Sequence, residues 1–112
     1  MATFMTLGRY SVQGAEAVKA AGMTARKKFV ASFVESYGQK LVGYWGIREA
    51  DWDFVILTEG SDVGPAQQLA MQVAAKSSGH FDDNRWYCLA ETEDLDAAIG
   101  KAADQFRPPG AS

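Results

Sequence analysis

The chain has 112 residues, of which 47% are hydrophobic, 22% charged and 12% aromatic. Those are the proportions of one ordinary globular domain, and they exclude a disordered chain. Eleven Lys and Arg face fourteen Asp and Glu for a net charge of −3. The only basic run is Arg26-Lys27-Lys28, so no nucleic-acid partner is expected.

The single cysteine, Cys88, excludes an intrachain disulfide and points to a reducing compartment. No stretch approaches the ~20 apolar residues that cross a bilayer, so no membrane partner is expected. The opening residues show neither a positively charged region nor a long apolar one. No signal peptide is predicted, and the expected location is the cytoplasm.

In chain order, residues 2–10 mix Thr, Phe, Met and Leu and predict a first strand. Gln13-Gly14 opens a short alanine-rich helix over 14–20, closed by Gly22. Thr24 can cap a longer helix over 25–37, in which Phe29, Val30, Phe33, Val34 and Tyr37 form one stripe. Gly38 suits the left-handed residue that ends it. Residues 40–48 and 52–59 read as two strands joined by the polar turn Glu49-Ala50-Asp51. Gly60-Ser61-Asp62 signals a further helix with Pro65 in its first turn. Ala66, Leu69, Ala70, Val73 and Ala74 are its expected buried face. A fourth strand lies within 81–91, with Cys88 expected as a small buried hydrophobe. Thr92 then caps a last helix, whose acidic first turn (Glu93, Asp94) suits the helix dipole. Its apolar stripe is Leu95, Ala98, Ile99, Ala102 and Phe106. Residues 107–112, with two prolines, are expected to be an untethered tail beyond a domain of residues 1–106.

The order is β-α-β-β-α-β with an extra C-terminal helix. The expected class is therefore α+β, ferredoxin-like, with a four-stranded antiparallel sheet. Such a sheet, covered by helices on one face, should alternate apolar and polar residues. These strands do not: Phe54-Val55-Ile56-Leu57 is unbroken, and Phe4 and Met5, Tyr44 and Trp45, and Trp86 and Tyr87 fall on opposite faces. The second apolar face needs its own cover. The expected cover is an identical sheet from a second subunit, giving a homodimer or a larger even assembly, a dimeric α+β barrel. The alternative is a monomer whose terminal helix folds across the open face.

Three segments carry a family resemblance. They are Phe4-Met5-Thr6-Leu7 with Gln13-Gly14 soon after, Gly43-Tyr44-Trp45 before the hairpin, and Ala50-Asp51-Trp52-Asp53-Phe54-Val55 within it. On these residues the chain, up to about residue 103, resembles the GYD domain family of dimeric α/β-barrel proteins. Ala50 stands at the glycine of the naming motif, Trp52 at its tyrosine, and Asp53 matches. An indole N–H donates but cannot accept, so a role carried by the tyrosine hydroxyl does not transfer. The resemblance implies a fold and no settled activity. Related barrels include cofactor-free monooxygenases, isomerases, haem-handling proteins and ligand-sensing domains.

Asp53 opens a strand of apolar residues. It is read first as an acceptor for backbone N–H groups or for Arg9 or Arg48, and second as a general base. His80, the one histidine, is read first as a loop residue and second as a proton shuttle or a metal or haem ligand. A lone histidine excludes a three-His site within one chain, and no metal or other cofactor is expected. Tyr44, Trp45, Trp52, Trp86 and Tyr87 are read first as packing and second as walls for a flat or apolar ligand. Arg26-Lys27-Lys28 is read first as a solvated face and second as a phosphate or carboxylate site.

The reading that follows is a small-molecule-binding dimer, with Tyr44, Trp52, Asp53 and Trp86 as lining candidates. One alternative is a cofactor-independent oxygenase or isomerase using Asp53 or His80 for proton transfer. Another is a structural or assembly module whose aromatics all pack.

Overall fold

The computed structural model describes residues 1–48 and 51–110. Glu49 and Ala50, which complete the expected polar turn and hold the motif's glycine position, lie outside them. The elements are β1 (Ala2–Tyr10), α1 (Val12–Ala21), α2 (Met23–Glu35), β2 (Gln39–Gly46), β3 (Phe54–Gly60), α3 (Pro65–Ser77), β4 (Phe81–Leu89) and α4 (Thr92–Gln105). The four strands form one antiparallel sheet in the order β2-β3-β1-β4. This α+β arrangement is consistent with a ferredoxin-like fold.

Strand alternation sorts the side chains. Opposite one another across β1 and β3 stand Phe4 and Thr58, Thr6 and Ile56, and Gly8 and Phe54. Phe4, Thr6, Phe54, Ile56 and Thr58 are all buried on the helix side. Tyr44 joins this face opposite Ile56, and Trp86 joins it opposite Thr6. Met5, Leu7, Trp45, Val55, Leu57 and Tyr87 point to the other face, as the unbroken apolar runs required.

Gly22 divides the first helical region. Its φ of 87° ends α1 and starts α2 at once, so α2 begins at Met23 and Thr24 falls inside the first turn rather than capping it. At the other end the chain leaves α2 through a tighter turn, with Tyr37 N–H bonded to Val34 O at 3.0 Å, and Gly38 follows at φ 76°.

Helix α3 corrects the expected face. Met71 is 4% exposed, whereas Leu69 and Val73 are 59% and 66% exposed. Residues 68, 71 and 75 turn toward the sheet, on a side of the helix that shares only Ala74 with the expected stripe. Apolar side chains run round the whole helix, so the period did not select a side. The long, unbranched Met71 reaches the sheet where Leu69 does not. Cys88 is also corrected: it is exposed, because β4 is an edge strand with no helix over its last residues.

Helix α4 extends away from the domain. Every described residue from Tyr87 to Gly110 is exposed, including Leu95 at 46% and Ile99 at 56%. The molecule measures 63 × 27 × 26 Å with a radius of gyration of 17.7 Å, against about 13 Å for a compact chain of this length. α4 therefore leaves the second sheet face open. Among the described residues no helix is long and apolar enough to cross a membrane.

Candidate functional site

Because α2 and α3 approach the sheet without closing on one another, a cavity of about 450 Å³ remains between them and the strands. That volume lies within the usual range for small-molecule sites. Helix α2 supplies Arg26, Phe29, Val30, Phe33 and Val34, and α3 supplies Gln68, Met71, Ala74 and Ala75. The sheet floor is Phe4, Thr6, Tyr44, Phe54, Ile56, Thr58 and Trp86, with Gln39 at one end and His80 and Phe81 at the other. The wall is predominantly apolar.

An aromatic cluster forms the His80 end. The ring of Phe54 lies 4.9 Å from Tyr10, 5.4 Å from Tyr44 and 5.8 Å from Phe81, centre to centre. Gly8 makes this possible, since a Cβ there would come within 2.0 Å of the Phe54 ring. The Tyr10 and Tyr44 hydroxyls are hydrogen-bonded at 2.7 Å. Burial first, and then that hydrogen bond, push the Tyr44 phenol well above its ordinary value, while Arg26 opposes the shift. Tyr44 is therefore a neutral hydrogen-bonding group at physiological pH and not a phenolate base.

Arg26 caps the same end. Its guanidinium lies 5.5 Å from the ring centres of both Tyr10 and Phe81. Two of its nitrogens are 3.4 and 3.5 Å from Nδ1 of His80, which accepts from them in the tautomer with its proton on Nε2. The backbone around His80 is fixed by the start of α1. Ser11 N–H donates to His80 O at 3.0 Å, and Ser11 Oγ donates to Gly79 O. Gly14 packs against the His80 carbonyl so closely that a Cβ would sit 1.9 Å from its oxygen. On the far side of Arg26, Phe29 and His80 a smaller hollow of about 230 Å³ lies between α1 and α2.

Among the described residues, two buried polar atoms in the wall have no hydrogen-bond partner: Trp86 Nε1, a donor, and Gln39 Oε1, an acceptor. Such atoms are rare in folded proteins and call for an explanation. Gln39 is 4% exposed, and its amide nitrogen is already used by Ser61 O.

Of the residues singled out in the sequence, Tyr44, Trp86 and His80 come together at this cavity. Trp52 and Asp53 stand apart from it. Trp52 carries the guanidinium groups of Arg9 and Arg85 against its ring, each 5.4 Å from its centre, next to the ion pairs that Asp83 makes with both arginines. The Asp53 carboxylate accepts from Tyr10 N–H at 2.8 Å, and its own N–H donates to Gly8 O at 2.8 Å, tying the end of β1 to the start of β3. Trp45 and Tyr87 lie on the open sheet face. Among the described residues no three His, Cys, Asp or Glu side chains converge as a metal site.

Sequence reasoning missed Gln39 and Met71 as wall residues, and Tyr10 as the hydrogen-bond partner of Tyr44. Tyr10 ends its strand and Gln39 starts one, where alternation is least informative, and Met71 depended on the rotation of α3. Comparison of the chain with protein-family models, with curated proteins and with solved structures gives no match.

Proposed function

We propose that this protein binds a small, largely apolar molecule in the cavity between α2, α3 and the sheet, and that it does so as a homodimeric α+β barrel of the GYD type. The observation that carries the reading is the pairing of an apolar cavity of about 450 Å³ with two buried polar atoms, Trp86 Nε1 and Gln39 Oε1, that have no partner among the described residues. A wall of this kind suits an apolar body bearing one or two polar groups. A purely structural module would fill the same space with its own side chains.

The dimer is supported by the open sheet face. Met5, Leu7, Trp45, Val55, Leu57 and Tyr87 share it, and α4 does not cover it. A second sheet across a two-fold axis would cover that face. The exposed stripe of α4 is then placed to lie against the partner.

A catalytic reading has one observation in its favour, the presence of His80 in the cavity wall. Asp53, the other candidate for proton transfer, is engaged with Tyr10 N–H away from the cavity. A binding function without chemistry needs only the wall.

The test is a titration with the neutral fluorescent probe N-phenyl-1-naphthylamine. The natural chain should bind it saturably, and Met71→Trp, which fills the cavity, should abolish binding while the protein stays folded. Binding unchanged in Met71→Trp would place the probe elsewhere and remove the support for this cavity as the site.

A further inference from the structure

We propose that the occupant of this cavity is an organic monocarboxylate, held with its carboxylate on Arg26 at the His80 end and its apolar body along the sheet. The inference rests on the cavity being the binding site and adds the charge and orientation of the ligand.

Among the described residues Arg26 is the only Lys or Arg in the cavity wall, and no Asp or Glu lines it. Among the described residues no carboxylate pairs with Arg26. Its partners are a histidine nitrogen and two aromatic faces. A half-buried guanidinium in apolar surroundings is stabilised by an opposite charge, and its planar fork matches a carboxylate in two parallel hydrogen bonds. The Tyr10 and Phe81 faces and His80 Nδ1 already hold that fork in place, which lowers the ordering entropy of binding. The neighbouring Lys27 and Lys28 are exposed, so the basic run sends one of its three charges inward.

The charge count argues for a monoanion. One cation in the wall balances one negative charge, and a dianionic phosphate would leave a charge uncompensated in a low-dielectric site. The chain as a whole is negative, at −3, so general attraction does not draw anions to it. Any preference for an acid must come from a local group.

The experiment is calorimetric titration with two matched pairs, 2-naphthoate against methyl 2-naphthoate and decanoate against methyl decanoate. At least one acid should bind about tenfold or more tightly than its ester, the margin expected of a charge-assisted hydrogen bond. Arg26→Met should bring acid and ester to the same affinity, Arg26→Lys should keep much of the preference, and Lys27→Met should leave it whole. If Arg26→Met does not fold, acid against ester on the natural chain decides the matter. Esters binding as tightly as acids would overturn the carboxylate inference and leave the cavity as a site for neutral ligands. No binding by any of the four compounds would overturn both.

Discussion

The hydroxyl of Tyr10, at the end of β1, and that of Tyr44, in β2, meet at 2.7 Å across the intervening strand β3. The bond closes the aromatic end of the cavity and keeps Tyr44 protonated. Tyr44→Phe should lower stability by about 0.5–1.5 kcal/mol in urea denaturation. The loss should depend on pH. A phenol raised in the folded state contributes stability that is fully present below the ordinary tyrosine value of 10.0 and declines as pH rises above it. The natural chain should therefore lose stability more steeply than Tyr44→Phe above about pH 10.

Two glycines in helices should respond oppositely to alanine. Gly14→Ala drives a methyl into the His80 carbonyl, 1.9 Å from its oxygen, and should destabilise by about 1–3 kcal/mol. Gly100→Ala, in α4, meets nothing within 4 Å and should raise helicity and stabilise by up to about 1 kcal/mol. Thermal melts followed by circular dichroism distinguish the two.

Asp53→Ala removes the acceptor of Tyr10 N–H and should lower stability by about 1 kcal/mol while leaving ligand affinity unchanged. Denaturation and a binding titration on the same protein check both halves. Lost turnover in a fully stable variant would instead mark Asp53 as a catalytic base.

Trp86 and Trp52 should separate in the same way. Trp86→Phe deletes the buried indole N–H in the cavity and should weaken ligand binding severalfold. Trp52→Phe, against Arg9 and Arg85 outside the cavity, should alter stability alone. Titration of each variant with the same ligand reads the difference.

The elements of the fold were legible because their signals agreed. The pleat separated Phe4 from Met5 and implied two apolar faces, the register then set Phe4 with Phe54 and Met5 with Val55, and Gly22, Gly38 and Gly79 all take positive φ where helices end. The facing of α3 was not legible, since alanine and other apolar residues surround it and only the packing of Met71 chose a side. Nor was the inward turn of Arg26, because a charge in a basic run is ordinarily solvated and its aromatic partners, Tyr10 and Phe81, lie on β1 and β4. Of the candidate site, Tyr44, Trp86 and His80 could be singled out as residue types. Their convergence required the register that sets Trp86 beside Thr6 and Tyr44 beside Ile56.

The central claim is an even assembly holding a small molecule in each cavity, and native mass spectrometry of the purified full chain tests it most directly. The account predicts an even multiple of the 12.1 kDa subunit carrying a discrete added mass that Met71→Trp lacks. A bare single subunit at 12.1 kDa would contradict both the dimer and the occupied cavity.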